Sequence, residues 1–180
     1  MPAQRSETSV VEHELRIDAR PETVFGYFTD PARMVQWMGA DATLDPRPGG
    51  VFRISFEPPR PVVEYLVAAF GRGAIPEGRE LGGATVVLGE FVEVDPYRRI
   101  AFTWGYETKV LAVPPQSTSV EVSFIPQGES TLLHLVHRRL PEAPSALHRA
   151  GWEHFLPRLA AVAAGRDPGP DPWQVASQSS

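Results

Sequence analysis

The stretch Thr85-Val-Val-Leu-Gly-Glu-Phe-Val-Glu-Val-Asp-Pro-Tyr-Arg-Arg-Ile-Ala-Phe-Thr-Trp-Gly-Tyr106 decides the fold. Asp95-Pro96 is a tight-turn signal, since Asp bonds its own backbone and Pro presets the bend. After it, Ile100, Phe102, Trp104 and Tyr106 alternate with smaller or polar residues, the period-two pattern of a half-buried strand. Before it, Val86, Leu88, Val92 and Val94 read as one apolar face, which carries Glu90 with it. Two such runs across a short turn make an antiparallel pair with one buried face.

Working outward, the same signals repeat. Val120, Val122 and Phe124 are in phase over 118–125, Pro126-Gln-Gly-Glu129 is a turn, and Leu133, Leu135 and His137 share a face over 131–138. Upstream, Phe52, Ile54 and Phe56 alternate over 51–57, preceded by the turn Pro46-Arg-Pro-Gly-Gly50 and a short strand over 42–45. The first strand, 10–17, carries Val11, His13, Leu15 and Ile17 inward and is expected at or near a sheet edge. Pro21-Glu22 and Asp30-Pro31 open two short helices, because Pro suits a first helical turn and a carboxylate suits the positive end of the helix dipole. These helices bring Val24, Phe25, Phe28, Met34, Trp37 and Met38. The last element is a helix over 145–164, where Leu147, Trp152, Phe155, Leu156, Leu159 and Val162 form an amphipathic stripe, with a kink expected at Pro157 and a stop at Gly165.

The element order is therefore β-α-α-β-β-β-β-β-β-α. Strands and a terminal helix that each expose one apolar face must cover one another, giving a two-layer α+β domain. Two small helices after the first strand and a long one at the end specify a helix-grip fold, a curved antiparallel sheet wrapped around the C-terminal helix. The expected organisation is a disordered N-terminus over 1–8, one domain over 9–165 with an insertion over 57–84, an extended arm over 166–173 and a disordered tail over 174–180.

Composition narrows function by exclusion. The chain has 180 residues, 42% hydrophobic and 22% charged, which is globular and large enough for a real core. A net charge of −5, with no cluster of basic residues, argues against a nucleic-acid surface. Without cysteine there is no disulfide, thiolate nucleophile or Cys-ligated metal. The N-terminus lacks the apolar core of a signal peptide and no run is long enough to span a membrane, so a cytoplasmic protein is expected. Arg far outnumbers Lys, which hints at a GC-rich bacterial genome.

The segments Ala19-Arg-Pro-Glu-Thr-Val-Phe25, Phe28-Thr-Asp-Pro31 with Trp37, Gly49-Gly50-Val-Phe52, Gly89-Glu-Phe-Val-Glu-Val-Asp-Pro96, Phe102-Thr-Trp104, Leu135-Val-His137 and Gly151-Trp152 follow one another in an order that resembles a known group. The chain is similar to the SRPBCC superfamily, the START and birch-pollen-allergen fold. Within it the resemblance is to the family named for the C-terminal domain of the heat-shock-protein-90 ATPase activator. That resemblance implies a cavity between sheet and long helix that takes a small hydrophobic molecule. Two departures stand out: the link between the Phe52 and Gly89 strands is longer than is usual for the family, and a separate N-terminal co-chaperone domain is not expected. A chaperone partner is accordingly not expected.

Meander geometry puts the 58–84 insertion, the 107–117 loop and the 139–144 approach to the last helix at one end, where ligand entry belongs. Within the insertion, 61–70 reads either as a lid helix or as a neutral surface insertion or oligomer contact, so a homodimer stays open. The ligand-binding candidates are Trp37, Phe52, Ile54, Phe56, Glu90, Phe102, Trp104, Tyr106, Phe124, His137, Trp152 and Phe155. Aromatic and aliphatic residues at such positions are also what a filled core uses, so the cavity follows from the resemblance and not from this set. Glu90 on an apolar face would need a partner, and His137 is the candidate. The pair would either orient a ligand or serve as acid and base, unless Glu90 makes a structural hydrogen bond or sits at a wet edge. A strand-phase error of one residue removes the idea.

No metal or cofactor is expected. His134 and His137 point to opposite faces of a strand, His148 and His154 diverge on the helix, and no phosphate loop or nucleophile elbow is present. The function expected is binding of a small hydrophobic ligand. The alternatives are a cyclase- or hydrolase-like enzyme using the same interior, with Glu90 and His137 its catalytic candidates, and an interaction module like the chaperone activator.

Overall fold

The computed structural model describes residues 8–56, 85–107 and 113–171. The expectations for the extreme N-terminus, the 57–84 insertion and its lid, Trp173 and the 174–180 tail lie outside them. Along the chain run β1 (Thr8–Ile17), α1 (Pro21–Thr29), α2 (Pro31–Met34), β2 (Asp41–Leu44), β3 (Val51–Phe56), β4 (Thr85–Asp95), β5 (Arg99–Trp104), β6 (Thr118–Gln127), β7 (Ser130–Pro141) and α3 (Glu142–Ala163). This is the order that the periodicities predict.

All seven strands join one antiparallel sheet in the order β1-β7-β6-β5-β4-β3-β2, so β1 is an edge strand as expected. The helix α3 lies across the inner face, and α1 and α2 close one end of it. Its buried residues Leu147, Trp152, Phe155, Leu156, Leu159 and Val162 are the expected stripe. It starts at Glu142, before the predicted 145, because Pro144 falls in the first turn, where backbone N–H groups have no intrahelical partner to lose. Asp30 caps α2 by accepting from the Ala32 N–H at 2.9 Å. That helix is a single turn, and Trp37 and Met38 follow it in a turn, still buried.

The phase of β4 corrects the sequence reading. Phe52 pairs with Gly89 and Val51 with Glu90, so Val87, Gly89 and Phe91 face the core and Glu90 lies on the outer face. A β-bulge then follows: Phe91 pairs with Phe102 but Glu93 pairs with Ala101, leaving Val92 extra and 55% exposed. The extra residue turns Val94 back toward the core beside Ile100. The consecutive apolar residues Val86, Val87 and Leu88 fit either phase, and the bulge allowed Val94 to support the wrong one.

Beyond α3 the chain doubles back on the helix. Arg158 donates to the Pro168 and Gly169 carbonyls, and His154 meets Asp171 at 2.8 Å. The arm is thus docked through its described part.

Candidate functional site

The inner face has two ends of different chemistry joined by an aromatic middle. Next to α1 and α2, Phe28 meets Trp37 and Phe124 edge-on at 5.1 and 5.6 Å, and Phe25 meets Phe124 at 5.7 Å. The Trp37 indole N–H donates to the Tyr27 carbonyl at 3.0 Å, so that polar group is satisfied. In the middle, Phe52 stacks on Phe102 at 3.9 Å and Phe91 abuts both.

At the other end the close of β5, the start of β6 and the later half of β7 meet the first turns of α3. Here Trp104, Tyr106, Thr118, His137, His148 and Trp152 are all buried. Gly105 lets this happen: a Cβ on it would lie 1.8 Å from the Pro114 carbonyl oxygen, so only glycine allows the chain after β5 to pack against its own return.

Hydrogen bonding fixes the state of His137. The Trp152 indole can only donate, and it donates to Nδ1 of His137 at 3.2 Å, so that nitrogen carries no proton. The Thr118 hydroxyl donates its single proton to the Trp104 carbonyl at 2.8 Å, and therefore accepts from His137 Nε2–H, also at 2.8 Å. The ring is a neutral Nε2–H tautomer with both nitrogens committed. Burial, and after it the neighbouring His148, hold its pKa well below the ordinary value, in agreement with that assignment.

His148 is the opposite tautomer. Its Nδ1 faces the Pro144 carbonyl at 2.7 Å and must donate, which leaves Nε2 to accept from the Tyr106 hydroxyl at 2.8 Å. Burial pushes the His148 pKa down to about 4, against a smaller upward pull from the Pro144 carbonyl. Burial likewise raises Tyr106 to about 12. The two imidazoles touch edge to face at 5.2 Å.

One group stays unmet. The Trp104 indole nitrogen is buried and has no hydrogen-bond partner among the described residues. It is near enough to the Tyr106 oxygen to offset slightly the rise in the tyrosine pKa, yet falls short of hydrogen-bond geometry. The Trp104 ring also packs on Tyr106, His137 and Trp152 at 6.4, 5.8 and 5.4 Å, so this donor sits inside the aromatic and imidazole cluster.

The predicted residues therefore divide. Trp104, Tyr106, His137 and Trp152 come together at the mixed end, Phe52 and Phe102 line the middle, and Ile54 is wholly buried. Phe56 is half-buried and meets Phe155 at 5.7 Å. Trp37 and Phe124 belong to the packed end beside α1 and α2. Glu90 does not join them: it is on the outer face, its backbone N–H bonded to Thr103 Oγ1, and the expected pair with His137 does not form. His13 is inward as predicted, but its Nε2 is buried without a partner among the described residues, and desolvation lowers its pKa.

Two residues of the cluster escaped the sequence reading. His148 falls at the spacing i, i+4, i+7 with Trp152 and Phe155, the stripe that buries α3. Thr118 is in phase with Val120 and Val122 on β6. Both signals lie in the sequence, each a polar residue in phase with an apolar set. His134, by contrast, lies on the outer face and bonds Glu12 at 2.5 Å. Among the described residues no group of three His, Asp or Glu is placed to share a metal ion, and no helix is long and apolar enough to cross a membrane.

The sequence profile of the family described as Activator of Hsp90 ATPase homolog 1-like protein matches residues 18–65 and 69–164. Among solved structures, an AHSA1-like protein from Rhizobium etli is 38% identical, with a TM-score of 0.61 over 92% of this chain and 88% of that one. DynU16, from the dynemicin biosynthetic locus, is 24% identical with a TM-score of 0.61 over 90% of this chain and 50% of that one. An HSP90 activator from Plasmodium falciparum is 19% identical with a TM-score of 0.55 over 85% and 94%. At those last two identities the likeness is one of fold. No curated protein matches the chain.

Proposed function

The chain belongs to the activator of Hsp90 ATPase homolog 1-like family, and from that membership we propose that it binds a small hydrophobic molecule between the sheet and α3, at the end built from Trp104, Tyr106, His137, His148 and Trp152. The observation that carries this is the buried, unbonded indole N–H of Trp104. Leaving a buried donor unmet costs about 1–3 kcal/mol, and native interiors rarely accept that without a use. The rings around it offer the apolar contact that provides most of the affinity for such a ligand.

Two alternatives have less support. Proton-transfer catalysis leaned on Glu90 beside His137, and Glu90 is across the sheet from the interior. Both nitrogens of His137 are already engaged, so it is poorly placed to exchange a proton with a substrate. Chaperone activation draws on a relative whose 19% identity conveys fold alone.

Titration with Nile red tests the proposal. The dye should bind at one per chain, shift its emission to shorter wavelength and quench tryptophan fluorescence. Native mass spectrometry of the protein from its own host should show a bound small molecule. No dye binding and no adduct would mean that the interior is simply filled.

A further inference from the structure

The hydrogen-bond inventory of the mixed end says what kind of molecule belongs there, and the inference rests on the binding function proposed above. Every donor in the cluster but one is committed: His137 Nε2–H to Thr118, Thr118 to the Trp104 carbonyl, Trp152 N–H to His137, Tyr106 to His148, and His148 Nδ1–H to Pro144. What remains is the Trp104 N–H, which can only donate. Among the described residues no charged side chain shifts either imidazole of the cluster. His137 responds to burial and to His148, and His148 to burial and the Pro144 carbonyl, with no carboxylate or guanidinium acting on either ring.

We infer that the ligand is an uncharged, largely apolar molecule bearing a hydrogen-bond-accepting oxygen, such as a ketone or ester carbonyl, which the Trp104 N–H receives. An alkane would leave the indole unmet. A carboxylate would satisfy it but would bury a full negative charge with no counter-ion, and a single neutral hydrogen bond does not offset that desolvation. An ammonium group would meet a donor where it needs an acceptor. A neutral carbonyl loses far less than a carboxylate on leaving water and gains the one bond on offer.

Competition with Nile red at neutral pH separates these classes, using methyl octyl ketone, decane and decanoate as matched probes. The ketone should bind about threefold to tenfold more tightly than decane, the range of one net hydrogen bond, and decanoate should bind more weakly than the ketone. Trp104→Phe keeps a ring and removes the donor, so it should bring ketone and decane to within about twofold of each other. Should that variant fold poorly, the wild-type indole resonances decide: the Trp104 N–H proton should move downfield with the ketone and stay in place with decane. Decanoate binding tightest, or a ketone advantage that survives Trp104→Phe with an unmoved indole resonance, overturns the inference and leaves the binding function standing. Failure of all three probes and of Nile red itself overturns both.

Discussion

The interior closes differently at its two ends. Beside α1 and α2 lie Phe25, Phe28, Trp37 and Phe124, edge to face, with the Trp37 indole N–H bonded to a backbone carbonyl. At the opposite end two imidazoles, a phenol, a hydroxyl and two indoles share one hydrogen-bonded cluster, and one indole N–H is left over. Phe25 apart, which is partly buried, both arrangements are buried, so burial does little to distinguish them. The difference lies in what a buried group demands. Hydrocarbon asks only for contact, and one end can be completed by packing. Polar groups demand partners with direction, and a cluster with an odd donor is complete only when something else enters. The proposed function assigns stability to the first end and recognition to the second.

Four measurements test that contrast. Phe28→Ala empties a fully buried site in the hydrocarbon end and should cost about 3–5 kcal/mol in urea unfolding, while Nile red affinity of the folded fraction stays unchanged. A loss of affinity together with stability would mean that the ends are not separate. The next effect in size is on pH. Burial places the folded pKa of His148 at about 4 against the ordinary 6.5, so the unfolded chain takes up a proton first as pH falls. Stability from this group is therefore complete above about pH 6.5 and declines toward pH 4, by about 2 kcal/mol between pH 7 and 5. His137, shifted the same way, adds to the decline. Urea unfolding of His148→Asn over that range should show a shallower slope, and an equal slope would remove His148 as the cause.

The two smaller effects compare like with like. Trp37→Phe deletes an indole N–H that serves the Tyr27 carbonyl and should cost about 1 kcal/mol beyond the change in ring size. Trp104→Phe deletes one that serves nothing among the described residues, so its hydrogen-bond cost to the unliganded protein should be near zero. Unfolding curves of the two variants, side by side, check this. Equal penalties would show that the Trp104 N–H is already satisfied.

Much of the fold was legible because the patterns that encode it are local. Strand alternation in β1, β3, β5, β6 and β7, and the stripe on α3, each sit within one element, and their apolar residues are the buried ones. Where the pattern was ambiguous, the partner strand settled it. Val86, Val87 and Leu88 fit both phases, and the bulge at Val92 is a property of the β4–β5 pairing that β4 alone does not display. The pairing of β4 with β3 puts Glu90 on the outer face, and the bulge is why Val94 pointed to the opposite phase.

For the site, the sequence supplied Trp104, Tyr106, His137 and Trp152 as inward residues, since facing inward follows from periodicity. By itself it determined the element order, the α+β class and most of what is buried. The tertiary structure alone decided which polar groups bond to which. Tyr106 and His148 stand 42 residues apart and meet only when α3 crosses the sheet, while Thr118 and His137, 19 apart, meet through the pairing of β6 with β7. Periodicity says which way a side chain points but carries nothing about the atom it will meet, and hydrogen bonds are decided by that meeting within a few tenths of an ångström.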